Sequence, residues 1–328
     1  MKLKTRLLFV YIVCSTFMYA QEDRVKYDEF SKIADSLFKE KKYQAAAENY
    51  SRAFSFLDWK ATPQHRYFAA VSYAQSRNMD SAFYHINRLV VRDLLSDTTE
   101  LVNNESLLPM QSDKRWKPMV QVLKEKQEAR EKNYDRPLIA QLKEIEDKDQ
   151  KYRIQIDSIQ NQFGMNSKEM TAHWELITKT DKENLKIIRK ILNKRGWLGA
   201  DIVGREGNST LFLVIQHSDL KTQQKYLPMM RDAVQKGNAE ASSLALLEDR
   251  VALGLGNPQI YGSQLSQTED GKMFLEAMID PDNVDKRRTS VNLGPIAEYV
   301  SYFGLTWDLE EYKKQLPGYL EKLNRRKK

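Results

Sequence analysis

The chain has 328 residues, of which 52 are Lys or Arg and 45 are Asp or Glu, giving a formal net charge of +7 and a mean hydropathy of −0.64. That length leaves room for about two domains. The charge excess sits at the ends: without Lys2, Lys4 and Arg6 it falls to +4, and without Arg325, Arg326, Lys327 and Lys328 it is 0. The body therefore lacks the basic face of a nucleic-acid binder.

Lys2, Lys4 and Arg6 precede an apolar stretch from Leu7 to Ala20 that ends Met18-Tyr19-Ala20 before Gln21-Glu22-Asp23. This pattern predicts a cleavable signal peptide over residues 1–20 and a periplasmic or secreted mature protein. The stretch is too short for a helical span, which needs about 20 residues, so no transmembrane span is expected after cleavage. A lipoprotein signal at Cys14 is the competing reading, but Tyr11-Ile12-Val13 lacks the small residues that would precede such a cysteine. Cys14 is the sole cysteine, so the mature chain has no disulfide, thiolate nucleophile or cysteine-based zinc site, and core burial must hold it together.

From Tyr27 to Asp58 the small and apolar residues fall at the spacing of a helical hairpin. Phe30, Ile33, Ala34 and Leu37 come first, then a polar Lys39-Glu40-Lys41-Lys42 turn, then Tyr43, Ala46, Tyr50 and Ala53. A second unit follows with Ala69, Ala70, Tyr73, Ala82, Ile86 and Leu89, and Ala46 to Ala82 is a step of 36 residues. These positions resemble a tetratricopeptide repeat, whose unit of about 34 residues places small residues where two antiparallel helices cross. Lys41 stands where that repeat usually has glycine. Leu107, Trp116, Met119 and Leu123 are expected to form a helix that covers the open end of the stack, and ordinary amphipathic helices are the plainer alternative. The resemblance implies a module for a protein partner over residues 21–126. His65 and His85 are expected to be packing or surface residues.

Residues 127–136 read as a charged linker, and a globular domain is expected over 137–305, followed by a C-terminal helix and basic tail over 306–328. Leu138, Leu142 and Ile145 restart a helical pattern, with Asp149 and Arg153 as a stabilising pair one turn apart. Thr180-Asp181 is expected to cap a helix carrying Leu185, Ile188 and Leu192 and ending at Gly196. Trp197 and Gly204 are placed in a loop, and Ser209 is expected to cap Thr210–His217, whose apolar run fits a helix or a buried strand. Asp219 fits the cap of the next helix, which Pro228 should kink or delay and Gly237 should end.

Between Asn238 and Gly256, Leu244, Ala245, Leu246, Leu247, Val251, Ala252, Leu253 and Leu255 surround the axis of a helix, leaving Glu248, Asp249 and Arg250 no polar face. A helix apolar all round is buried, and buried charges need partners. The candidates are Gln216, His217 and Asp219 on one side and Gln259, Tyr261, Ser263 and Gln264 on the other, with Arg287 and Arg288 further on. If these converge, His217 with Asp249 and Arg250 would form a catalytic group: a neutral imidazole as general base, a carboxylate fixing its tautomer, and a guanidinium holding an anion. Gln216, Asp219, Tyr261, Ser263, Gln264, Arg287 and Arg288 would bind the ligand, and Ser218 or Ser263 would be a nucleophile only on reaching the imidazole. The alternatives are an internal ion-pair network and a ligand pocket without chemistry. There is no Gly-x-Ser-x-Gly elbow, Walker loop or His-Glu-x-x-His, no metal-ligand spacing, and no reason to expect a cofactor.

Asp149-Gln150-x-x-Arg153, Gly196-Trp197, Val203-Gly204, Gln216-His217-Ser218-Asp219, Asp249-Arg250, Gln259-x-Tyr261-Gly262-Ser263-Gln264 and Asp280 through Arg287-Arg288 to Leu293 together resemble an uncharacterised bacterial domain family, covering roughly Pro137 to Tyr302. The resemblance implies no activity. The whole reads as a mainly α protein: helical hairpins, then a mostly helical globular domain with room for some β-structure. Binding or scaffolding in the cell envelope is the expected role, with a hydrolase or transferase as the alternative.

Overall fold

The structure, a computed structural model, describes residues 22–92, 94–95, 97–268 and 271–325, leaving out the side chain of Glu100. The predicted leader with Cys14, and Arg326 to Lys328, lie outside the described residues. The protein is mainly α and divides into two compact units between Lys132 and Asn133.

In the first unit, α1 (22–39) and α2 (Tyr43–Phe56) form one helical hairpin, and α3 (Pro63–Gln75) and α4 (Met79–Val91) form another. Lys41 at φ 58° and Arg77 at φ 65° make the two turns. Each takes up the left-handed backbone that glycine usually supplies, at a cost of about 1–2 kcal/mol. Caps restart the helices: Thr62 accepts from the His65 amide and Asn78 from the Ser81 amide. Ala34, Ala46, Ala53, Ala69, Ala70, Ala74 and Ala82 are fully buried, which lets the helices approach closely, and Tyr27, Tyr50 and Phe54 fill the remaining space.

The chain continues through α5 (Thr98–Asn103), a 3₁₀ turn (Glu105–Leu107), α6 (Leu108–Gln111) and α7 (Trp116–Glu131). Leu107, Trp116, Met119 and Leu123 pack in one core with Ile86 and Leu89 of α4, but not as the single helix expected: Leu107 ends the 3₁₀ turn and the other three lie on α7. Residues 127–131, predicted as linker, form the last turn of α7. Polar composition does not break a helix when contacts one turn apart support it, such as Gln127 Nε2 to Glu131 Oε1 at 2.8 Å.

The second unit starts with α8 (Arg136–Arg153), capped by Asp135. Next come α9 (Ile156–Phe163), α10 (Lys168–Arg195), α11 (Ala200–Gln216), α12 (Leu220–Gln235) and α13 (Ala241–Gly254). Leu142 and Ile145 of α8, Ile188 and Leu192 of α10, Leu211 and Ile215 of α11, Met230 of α12 and Leu247 of α13 share one core. Two predicted starts are corrected. Helix α10 is continuous over 28 residues from its Ser167 cap, so Asp181 lies mid-helix instead of capping. Helix α11 begins at Ala200 and re-forms after a break at Gly204, leaving Ser209 inside it. The ambiguous run Leu211–Ile215 is helix, and it looks featureless because helices pack around it.

Beyond α13 the chain leaves helix. A loop over 255–264 leads to an antiparallel pair, β1 (Leu265–Gln267) and β2 (Met273–Leu275), in register Leu265↔Leu275. A 3₁₀ turn (Pro281–Asn283), α14 (Val284–Ser290), α15 (Ile296–Ser301) and α16 (Leu309–Arg325) complete the unit. Leu275, Met278, Val284, Ile296, Val300 and Tyr312 form a small core behind the loop. Among the described residues, no helix is long and apolar enough to cross a membrane.

Candidate functional site

Asp249 and Arg250 are neighbours on α13, and the helix turns their side chains about 100° apart. Asp249 is fully buried and faces the loop: its carboxylate accepts from the amides of Ile260 (2.6 Å), Tyr261 (3.0 Å) and Ser263 (3.0 Å). Burial pushes this carboxyl above its usual value, against the opposite pull of the three amides. Gln259 braces the same loop, donating to the carbonyls of Gln264 (3.1 Å) and Glu276 (2.8 Å) and accepting from the Gln264 amide (2.8 Å). Gly262 turns the loop at φ 66°, where a Cβ would come within 3.0 Å of Ile296 Cδ1.

The predicted partnership of Asp249 with His217 is therefore replaced. His217, at the end of α11, places Nδ1 3.1 Å from Oδ1 of Asp149, a buried carboxylate near the end of α8. Burial works to raise the Asp149 carboxyl, but the His217 hydrogen bond and the charge of Arg153 hold it below its usual range. Oδ2 of Asp149 accepts from Gln150 Nε2 at 2.8 Å. Arg153 lies 3.2 Å from Asp149 and forms a two-pronged contact with Asp181 on α10, 2.8 Å to each oxygen. Nε2 of His217 has no partner among the described residues, and the side chains of His217 and Arg153 are each 18% exposed.

Arg250 joins this group to the loop. Nε donates to Gln264 Oε1 (3.0 Å), Nη1 donates to the Gln216 carbonyl (2.9 Å), and Nη2 has no partner among the described residues. Burial lowers the guanidinium from its usual value, and the nearby charge of Arg153 lowers it further. All its hydrogen-bond acceptors are neutral. Gln216 is itself buried, and its Oε1 has no hydrogen-bond partner. The structure thus joins Arg250 to Gln216 and Gln264, and pairs His217, the residue after Gln216, with Asp149 in place of Asp249.

The remaining predicted residues have structural duties. Asp219 caps α12 through the Thr222 amide at 2.8 Å. Arg287 donates to the carbonyls of Ile260, Ile279 and Asp280, and Arg288 to those of Tyr261 and Gly294, so both brace loop backbone. Tyr261 and Ser263 contribute their amides to Asp249. The Ser218 hydroxyl donates to the Ile215 carbonyl and the Ser263 hydroxyl accepts from Gln264, so neither bonds the imidazole. Asp149 and Asp181 were missed as site residues because their spacing and position suggest helix chemistry. The one available signal was the place of Asp149 in the motif set.

An all-helical core carrying a His–carboxylate pair and two arginines beside a pinned loop defines a helical polar-site domain. Residues 137–310 match a family of unknown function (DUF6624), more than half of the chain, and the protein belongs to that family. No curated protein and no solved structure matches the chain.

Proposed function

We propose that this is an exported envelope protein whose first unit docks a protein partner and whose second unit binds an anionic group between Arg250 and His217. Export is supported by the leader pattern of residues 1–20, and docking by the two successive hairpins with their tetratricopeptide-like small positions. One observation carries the ligand site: Arg250 is a largely buried cation with only neutral acceptors and an unused Nη2. A bound oxyanion would supply the missing counter-charge through a charge-assisted hydrogen bond.

Thermal unfolding of the mature chain with millimolar phosphate or citrate tests this. A ligand at 100 times its Kd adds about 2.7 kcal/mol, enough to raise the transition by roughly 5 °C. The rise is expected in the wild type and absent in Arg250→Gln. A wild-type transition unmoved by either anion counts against the site.

The His217–Asp149 pair favours a second reading, an envelope hydrolase or transferase. An imidazole whose Nδ1 is held by a buried carboxylate presents Nε2 in one tautomer, ready to take a proton from water or a hydroxyl. On this reading p-nitrophenyl phosphate or acetate is turned over by the wild type, and both His217→Gln and Asp149→Asn lose about 100-fold or more. Equal rates in all three proteins exclude it.

A further inference from the structure

Arg66, in the first turn of α3, is only 3% exposed. Nη2 donates to the Trp59 carbonyl at 2.5 Å, Nη1 lies 3.3 Å from His85 Nδ1, and the group sits over the Phe54 ring. No carboxylate is among these contacts. Apart from burial, Arg88 lowers it most, Tyr84 acts against that, and Arg92 lowers it further; the two arginines are both cations. Arg288 of the second unit provides the contrast, since that equally buried guanidinium has Asp285 and Asp249 among the charges acting on it.

His85, Arg88 and Arg92 lie three and four residues apart, so they share one face of α4 at its C-terminal end. Nη1 of Arg88 reaches the Tyr84 hydroxyl at 3.3 Å, and its Nε is buried with no partner. Tyr84 leaves 43% of its surface exposed beside this group. A buried cation without a counter-ion costs several kcal/mol. Through His85, Arg66 meets the face of α4 that carries Arg88 and Arg92, where a buried donor of Arg88 is left without a partner and the Tyr84 ring lies beside it.

We propose that Arg88 and Arg92, with the buried charge of Arg66 behind them, form a docking site for a side-chain carboxylate of an acidic peptide segment in a partner protein, with an adjacent apolar residue lying against Tyr84. This rests on the first unit being a docking module and names the chemistry of its partner. Planar guanidinium forks match a carboxylate in two-pronged geometry, and the exposed ring supplies an apolar contact that a free inorganic anion does not use.

The test uses the full mature chain and a fluorescein-labelled Glu-Glu-Leu-Glu-Glu-Leu peptide, read by anisotropy, with the Gln-for-Glu peptide and inorganic phosphate as comparators. Binding of the Glu peptide alone is expected, weakened about tenfold or more in the Arg88→Gln/Arg92→Gln double variant and unchanged in the variant of an exposed arginine elsewhere, Arg205→Gln. Binding that survives the double variant, or equal binding of the Gln peptide, overturns the proposal. So does phosphate displacing the peptide while a Glu-Glu-Ser-Glu-Glu-Ser peptide binds equally well, because the site would then recognise charge alone. Capture of an envelope protein that persists in the double variant would sink this inference and leave the docking reading standing.

Discussion

Asp249 shows how one buried side chain can organise a loop. Replacing it with Ala leaves three amides without an acceptor in a dry interior, and each costs about 1–3 kcal/mol. Asp249→Ala is therefore expected to lower stability by about 3 kcal/mol or more in urea titration; a loss under about 1 kcal/mol would show that the loop does not depend on this carboxylate. His85 makes a different kind of prediction. Burial among Tyr73, Phe54 and Tyr84, together with the Arg66 and Arg88 charges, pushes it down from 6.5 to about 4. Between those values the unfolded chain binds a proton that the folded chain refuses, so stability falls as pH drops from about 6.5 to 4. The loss is on the order of 3 kcal/mol. His85→Phe should flatten this acid limb, and an unchanged limb would assign it to other groups. At this scale, the crowding of charge on an apolar helix made positions 249 and 250 legible. The carboxylate facing His217 was not, because Asp149 and Asp249 are both plausible on paper and only helix phase separates them.

At the scale of elements, breaks depend on single backbone positions. Gly262 combines φ 66° with contacts at 3.0 and 3.3 Å for any added Cβ, to Ile296 and Met278. Gly262→Ala is expected to cost about 1–3 kcal/mol and to raise amide exchange at Tyr261 and Ser263; unaltered exchange would mean that the loop tolerates a side chain. Gly204 interrupts α11 at φ 70°, yet the helix resumes, so the punctuation that reads as a loop is a kink. Helix α10 shows the reverse error. Thr180-Asp181 has the composition of a cap, but Asp181 is used by Arg153 from another helix, and local composition carries no trace of that contact. Asp181→Ala should release Arg153 and strengthen any anion-induced stabilisation of the second unit, because it removes a negative charge from beside the site. An identical ligand response in that variant would place Arg153 outside the site.

For the whole molecule, the two units bury separate cores. Substitutions should then act locally: in denaturant unfolding followed by hydrogen exchange, Asp249→Ala is expected to depress protection across α11 to α13 while leaving α3 and α4 unchanged. Loss of protection in both units would show that they unfold as one. The mainly α character, the paired hairpins and some helix ends, those at Gly196, Asp219 and Gly237, followed from periodicity, caps and turn residues, which act within a few positions of the chain. The presence of a polar centre was also legible, because charges on an apolar helix must find partners somewhere. Which partners they found was decided by tertiary structure alone. Asp249 took the loop amides and Arg250 took Gln264 and the Gln216 carbonyl, while Asp149 and Asp181, from helices distant in sequence, went to His217 and Arg153. The meeting of α8, α10, α11 and α13 depends on how their apolar faces pack. Local sequence encodes the need for a partner, and only the packed core sets the few ångströms that choose it.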